Sequence, residues 1–326
     1  MTIPMTRRTA LAGALALAAL PAAAEDAWPT APLHVYVGFP AGSSPDTLTR
    51  IITEPLAQRL GQPVVVENKP GAGGVIGVQQ MLANAGDGNS FATTINGPLT
   101  TAARLMTSTG YDAATDIAPV TLIATSPLVL AVSARSDFTD LESFVAAAGA
   151  EPEALSYGSV GQGSGAHLTA ELFADAAGVS LLHIPFTSYA EVTTSIVGGE
   201  IDAGFMAPSA ALPQVEAGRM RLLGITSAEP FAQAPDVPVL AGRAGLPEEF
   251  RAELWNAFIA PAGTAPAVIE RLNTEIGEIL AEPEVQEKLL AIGWQAAPGT
   301  PADLADRISA DTAMWGAVID RVEAKP

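Results

Sequence analysis

Residues 33–46 read LHVYVGFPAGSSPD, and this stretch decides the fold of the chain. The β-branched and aromatic residues 35–37 favour a strand, which the proline and glycine of residues 39–44 bring to an end. Ser44 is suited to cap a helix and Pro45 to open it. A strand, a small-residue loop and a helix N-terminus together present unpaired N–H groups and the positive end of a helix dipole, an arrangement that suits an anion.

The same pattern recurs along the first third of the chain. Residues 48–60 carry apolar side chains at helical spacing, with a kink predicted at Pro55. A second strand at 63–67 leads into a glycine-rich turn at 68–74, and a third strand follows at 91–95. Strands alternating with helices at this spacing predict a parallel sheet covered on both faces.

Two apolar runs predict where the chain passes between lobes. Residues 120–132, VTLIATSPLVLAV, are broken by Ser126 and Pro127, which favours one strand leaving a first sheet and another entering a second. Residues 255–260 are predicted to return the chain, and only helices are expected beyond them. We therefore predict an α/β fold with two lobes, the first formed by residues 25–127 and 249–326 and the second by residues 128–248.

The N-terminal 24 residues have the pattern of an export signal. Arg7 and Arg8 precede an apolar stretch, and residues 22–24 are three alanines suited to cleavage near Ala24. The arginine pair also resembles a twin-arginine motif, so either export route is open. We expect a periplasmic protein whose signal peptide is residues 1–24.

Composition excludes several classes of function. The 326 residues include 16 Lys and Arg against 35 Asp and Glu, a formal net charge of −19, which disfavours nucleic acid and anionic membrane surfaces as partners. Without cysteine, and with three histidines at no ligand-like spacing, we expect no metal site. The glycines of residues 71–76 miss the dinucleotide fingerprint, so we expect no cofactor, and we expect a monomer.

A second loop rich in small residues lies at 157–167, YGSVGQGSGAH. Ser164 is placed to cap the helix that follows, and the glycines let ligand oxygens approach the main chain. Ser159 and Ser164 leave open a secreted α/β hydrolase or transferase, with His167 or His183 as a partner. Neither serine has glycine both two residues before and two residues after it, which is the spacing of a nucleophile elbow.

The order of these motifs resembles the Bug (TctC-like) substrate-binding proteins of tripartite tricarboxylate transporters. The resemblance runs from Trp28 to the C-terminus, and its most specific part is the glycine-rich stretch after Asn68. The motifs that carry it are residues 39–46, 68–77, 157–167, 183–186 and 255–264. Ala41 and Ser43 depart from the Pro and Gly common in the family's first loop, and Thr187-Ser188 replaces a common Lys-Gly.

This resemblance implies a type II-like periplasmic binding protein with a hinge and a ligand cleft between its lobes. It implies a non-enzymatic receptor that takes a small organic carboxylate to the membrane subunits of a transporter, with no catalytic residue. A ligand sensor for a membrane kinase is the other alternative. The implied ligand-binding residues are Phe39, Ala41, Gly42, Ser43, Asp46, Thr94, Asn96, Ser159, Gly163, Ser164, Gly165, Ala166 and Phe205.

Asp46 has two possible roles on the sequence alone. As an acid in the first turn of a helix, it stabilises the helix through the dipole. The resemblance places it at the ligand, where its charge would select among carboxylates.

Overall fold

The computed structural model describes residues 28–324, so the predicted signal peptide lies outside the described residues. The strands fall into two sheets. In chain order they are β1 (Leu33–Val37), β2 (Val64–Asn68), β3 (Ser90–Ile95), β4 (Ile117–Pro127), β5 (Val129–Ser133), β6 (Ser156–Ser159), β7 (Leu182–Pro185), β8 (Ala203–Met206), β9 (Met220–Ile225), β10 (Glu253–Pro261) and β11 (Gln295–Ala296).

Helices follow most of the strands and pack on the faces of both sheets. They are α1 (Ser44–Leu60), α2 (Val75–Ala83), α3 (Asn96–Thr100), α4 (Ala102–Leu105), α5 (Leu141–Ala150), α6 (Gly165–Ala177), α7 (Tyr189–Gly198), α8 (Pro208–Glu216), α9 (Pro266–Leu280), α10 (Pro283–Ala291) and α11 (Pro301–Ala324). Of the helices in this described range, none has the length and hydropathy needed to cross a membrane.

Both sheets are mixed, which corrects the predicted all-parallel arrangement. The first has the order β11-β4-β10-β3-β1-β2 and the second β7-β6-β8-β5-β9. Only β1, β2 and β3 are parallel neighbours in the first sheet, since β10 runs antiparallel to β3 and β4. The reason is that the returning strand β10 enters the middle of the first sheet from the second lobe.

The chain passes between the sheets where the apolar run 120–132 is broken. β4 ends at Pro127 in the first sheet, and β5 begins at Val129 in the second. β10 brings the chain back. The exact lobe boundaries stay a prediction, and Phe250, which lies beyond the predicted limit of the second lobe, packs in the core of the second sheet.

Each sheet has its own hydrophobic core. In the first lobe, Phe91 and Phe258 pack with their ring centroids 5.8 Å apart, beneath α1 and α9. Trp255 and Ala257 point to the opposite face of the same sheet. In the second lobe, Phe173 of α6 packs against the buried strands. Burial on both faces fixes the register of the sheets and hence the position of every loop at their edges.

Three local predictions need correction. α1 begins at Ser44 with Ser43 as its N-cap, one residue earlier than predicted. The helix runs on through Pro55, and the kink expected there stays a prediction. Helix α8 was not predicted from the sequence because two prolines flank its short apolar stretch. The short strand β11 shows that the segment after β10 is not only helical, since it pairs with β4.

Candidate functional site

The loop after β1 is held in place by Asp46. One carboxylate oxygen of Asp46 accepts the backbone N–H of Gly42 at 2.8 Å, and the other accepts the side-chain amide of Asn68 at 2.8 Å. Arg50, one turn further along α1, donates from Nε to both oxygens at 3.1 Å. Asn68 also donates to the carbonyl of Phe39 at 3.0 Å, which ties the loop after β1 to the end of β2.

These contacts keep Asp46 ionised. The side chain is 2% exposed, and burial alone would raise its pKa. The hydrogen bonds from Arg50, Gly42 and Asn68 outweigh burial and bring the pKa of Asp46 below its ordinary value of 3.8. The carboxylate therefore has a structural explanation within the loop, and its part in ligand choice stays a prediction.

The glycine-rich turn after Asn68 lies in close backbone contact with the loop after β1. A Cβ built on Gly38 would lie 2.2 Å from the carbonyl oxygen of Gly74, and one on Gly77 would lie 2.5 Å from the nitrogen of Gly38. Gly74 also has φ +104° and approaches the ring of Phe39. Only glycine permits this approach, and it fixes where Phe39 stands at the edge of the first sheet.

In the second lobe, the loop between β6 and α6 is built by short-range hydrogen bonds. Ser164 caps α6 as predicted, since its hydroxyl accepts the N–H of His167 at 3.3 Å. The backbone N–H of Gly163 donates a hydrogen bond of 3.0 Å to Nδ1 of His167. The N–H groups of Gly165 and Ala166 lie in the first turn of α6 and have no acceptor within their own helix.

Ser159 contacts a histidine, but its hydroxyl is inaccessible. Its Oγ lies 2.7 Å from Nε2 of His183 and donates to the carbonyl of Gly161 at 3.1 Å. Ser159 is 0% exposed. The ring of His183 stacks on that of His167 with the centroids 4.1 Å apart. This geometry positions the loop, and a nucleophile needs an open face that Ser159 lacks.

A cavity of about 180 Å³ brings residues of both lobes together. Asn96, at the start of α3, lines it from the first lobe, while Gly163 and Gly165 line it from the second. Leu254 of β10 and Leu128, at the crossing between sheets, also line it. A Cβ on Gly165 would lie 3.1 Å from Leu254 Cδ2, so the two lobes are in contact at this point.

The other predicted site residues lie elsewhere. Ala41 and Gly42 are exposed and border, with Asp46, a groove of about 750 Å³ between α1 and α10. Thr94 is buried in β3, and Ala166 and Phe205 belong to the core of the second lobe. The structure therefore groups Asn96, Gly163 and Gly165, and it gives the side chain of Phe205 a packing role.

Two residues were not singled out from the sequence. Asn256 is a lone polar residue in the apolar strand β10, where it pairs with Ile95 of β3, and both atoms of its buried amide lack hydrogen-bond partners in the described part of the chain. Its position inside an apolar run was a usable signal. Trp315 of α11 lines the cavity between the lobes. No sequence pattern indicated this, because Trp315 lies far along the chain from the other residues that line the cavity. Within residues 28–324, no group of three or more His, Asp or Glu side chains is placed to hold a metal ion.

Comparison with known proteins identifies the family of the chain. The family model described as "Tripartite tricarboxylate transporter family receptor" matches residues 48–324. The chain belongs to this receptor family. The resemblance seen in its motifs is confirmed, and the fold and family are those of solute-binding receptors.

Relatives of similar length match nearly the whole chain. A UPF0065 protein from the tcbD-tcbE intergenic region of Pseudomonas sp. (strain P51) is 37% identical over 96% of this chain and 94% of its own. The protein BugT of Bordetella pertussis is 34% identical over 98% and 99%.

Solved structures of the receptor family confirm the two-lobed fold. A TctC solute-binding protein from Polaromonas matches with a TM-score of 0.82 and 25% identity, covering 90% of this chain and 99% of that one. An R. palustris protein with adipate matches with a TM-score of 0.70 and 30% identity, covering 90% and 97%. MatC of Rhodopseudomonas palustris with bound malate matches with a TM-score of 0.66 and 27% identity, covering 90% and 100%.

Proposed function

We propose that this receptor captures a small organic carboxylate between its lobes, without transforming it, and delivers it to the membrane subunits of a tripartite transporter. The observation that carries the proposal is the cavity shared by Asn96, Gly163 and Gly165. It joins the two lobes at the start of α6. A receptor that must hold and then release its cargo needs a site of this kind, which hinge motion can close and open.

An anion in the cavity would be held by main chain, because no Lys or Arg is among the described residues that line it. Glu253 also lines the cavity, so we expect the ligand carboxylate away from it, at the start of α6. The N–H groups of Gly165 and Ala166 belong to the first turn, at the positive end of the 13-residue helix α6. Charge-assisted hydrogen bonds of about 1.5 to 3 kcal/mol each would supply micromolar affinity from a few contacts.

The ligand class is supported by relatives. Adipate and malate, named with two of the matching structures, are small organic carboxylates. We propose the same class for this chain, acting as a monomer in the periplasm after its export signal is removed near Ala24. The inaccessible hydroxyl of Ser159 and the capping role of Ser164 favour a receptor over a hydrolase.

Thermal-shift measurements with adipate, malate and a wider panel of carboxylates test this function. At least one carboxylate is expected to raise the melting temperature, and NMR of the same sample should recover it unchanged. The Gly165→Val variant, whose branched side chain would meet Leu254, should lose the shift. Consumption of the ligand would indicate an enzyme, and a folded protein that binds no carboxylate would overturn the proposed ligand class.

A further inference from the structure

We propose that His167 is a positioning residue for the loop between β6 and α6, and that its unprotonated Nδ1 holds Gly163 in place at the cavity between the lobes. The receptor then captures its carboxylate while His167 is neutral and loses affinity for it on acidification. The inference rests on the proposed function and deepens it, because it makes capture depend on pH.

The hydrogen bond from Gly163 defines the protonation state of the His167 ring. The backbone nitrogen of Gly163 lies 3.0 Å from Nδ1 of His167. A main-chain N–H can only donate, so Nδ1 is the acceptor and carries no proton. Protonated histidine carries a hydrogen on both ring nitrogens, so an imidazolium here would turn one N–H towards another and break the contact.

His167 holds the loop at two points. Its ring accepts from Gly163, and its own backbone N–H donates to the hydroxyl of Ser164 at 3.3 Å. The ring is packed inside the second lobe, since His167 is 3% exposed, whereas Gly163 belongs to a loop and has φ +75°. The loop is therefore the part that yields when His167 is protonated. Gly163 lines the cavity with Gly165, so this movement changes the cavity at the start of α6, where we place the ligand carboxylate.

The groups that face the His167 ring come from three elements. The ring of His183 on β7 stacks on it with the centroids 4.1 Å apart, and the ring of Tyr157 on β6 lies 6.4 Å away. Burial raises the pKa of Tyr157, so this group stays neutral. Glu171, one turn further along α6, is 9% exposed and accepts the hydroxyl of Tyr157 at 2.9 Å. A carboxylate here favours a proton on the histidines, so the pair can take one up as the pH falls.

The sign of the pH dependence separates positioning from simple attraction. An imidazolium beside the loop adds positive charge, which by itself would strengthen the binding of an anion. Loss of the contact between His167 and Gly163 weakens binding instead. The proposal therefore requires affinity to fall, and not to rise, on acidification.

Isothermal titration with adipate and with malate from pH 8 to pH 5.5 tests the proposal. His167→Asn places an amide oxygen near the position of Nδ1 and does not titrate, so it should bind within about twofold of wild type at pH 8. Ligand titration affects both proteins alike, so the ratio of their affinities is the readout. A receptor that binds only in one protonation state loses affinity with the population of that state, so wild type should fall about fivefold or more relative to His167→Asn by pH 5.5. His167→Leu offers no acceptor and should bind about tenfold more weakly than wild type at pH 8.

His34→Asn is the matched control, because His34 lies on β1 in the first sheet and its Nδ1 contacts Glu67 at 2.8 Å. It should keep the wild-type profile. If the His167 variants do not fold, the backbone amide resonance of Gly163 in wild type decides, and it should shift with the same pH midpoint as the loss of affinity. A constant affinity ratio between wild type and His167→Asn, tighter wild-type binding on acidification, undiminished binding by folded His167→Leu, or a Gly163 resonance that does not move would overturn the proposal. If neither carboxylate binds folded wild type, the proposed ligand class is at fault, and the Gly163 resonance alone decides the role of His167.

Discussion

Asp46 and Gly42 are joined by a hydrogen bond of 2.8 Å, so the loop that follows the first strand is closed by an acid from the helix it leads into. The sequence offers two roles for Asp46, a helix-dipole contact and ligand selection. The structure adds a third, because Arg50 and Asn68 converge on the same carboxylate. Removing its charge should therefore act first on stability.

Asp46→Asn should lower the free energy of unfolding by about 1 to 3 kcal/mol, because a neutral amide cannot accept from Gly42, Asn68 and Arg50 together. Urea unfolding followed by circular dichroism measures the change. Asp137→Asn is the control, since Asp137 is exposed, and its effect should stay within about 0.5 kcal/mol. Equal effects of the two substitutions would show that the hydrogen bonds of Asp46 with Gly42, Asn68 and Arg50 contribute nothing to stability.

The stabilisation by Asp46 should also depend on pH with a defined sign. Its pKa is lower in the folded protein than its ordinary value of 3.8, so the folded state favours the ionised form. The stabilisation is fully present above the unfolded pKa and is lost as the pH falls through the folded one. The difference in unfolding free energy between wild type and Asp46→Asn should be constant from pH 7 to 5 and shrink below about pH 4. A difference that grows on acidification would contradict this assignment.

One hydroxyl links the two passages of the chain between the sheets, and the stability of the protein should depend on it. Thr226 is fully buried, accepts the backbone N–H of Leu128 at 2.8 Å and donates to the carbonyl of Ala252. Leu128 and Ala252 lie on the two passages between the sheets, so Thr226 links them. Thr226→Val keeps the shape and should cost about 2 kcal/mol in thermal or urea unfolding, since it leaves a buried donor and acceptor unpaired.

Thr226→Ser is the matched control for the hinge, because it retains the hydroxyl. It should recover most of the stability lost in the valine variant. Small-angle scattering of both variants with a bound carboxylate would show whether closure also changes. A valine variant as stable as the wild type would show that these hydrogen bonds contribute nothing, whereas any loss in the serine variant measures the packing of the missing methyl group.

Local signals predicted the parts of the site that depend on neighbours in sequence. The cap by Ser164 follows from a serine placed directly before an apolar helix. The glycine-rich turns were also visible, because few other residues tolerate positive φ. These features require no knowledge of what packs against them.

Contacts between distant segments could not be predicted in the same way. Asn68 reaches Asp46 from another strand, and Trp315 reaches the cavity from the last helix. The antiparallel direction of β10 is likewise fixed by where the chain re-enters the first sheet, which local periodicity does not encode. A binding site between lobes is built from such contacts, so local sequence patterns cannot predict all of its residues.

The close approach of Gly74 to Phe39 gives a prediction with an internal control. A Cβ at Gly74 would lie 2.8 Å from Phe39 Cε2, and the residue has φ +104°. Gly73 also has positive φ, +62°, but a Cβ there would meet nothing within 4 Å. Gly73→Ala should therefore cost only the backbone strain of about 1 kcal/mol, whereas Gly74→Ala should cost more and displace Phe39.

Unfolding and ligand binding measured on both alanine variants separate packing from backbone strain. Gly74→Ala should weaken binding of a carboxylate that stabilises the wild type, because Phe39 and the loop after β1 move together. Gly73→Ala should bind with wild-type affinity. Weakened binding in both variants would assign the effect to the backbone of the turn. Unchanged binding in both would show that Phe39 is not part of the ligand site. The free energies of unfolding would then still decide whether Gly74 is needed for packing.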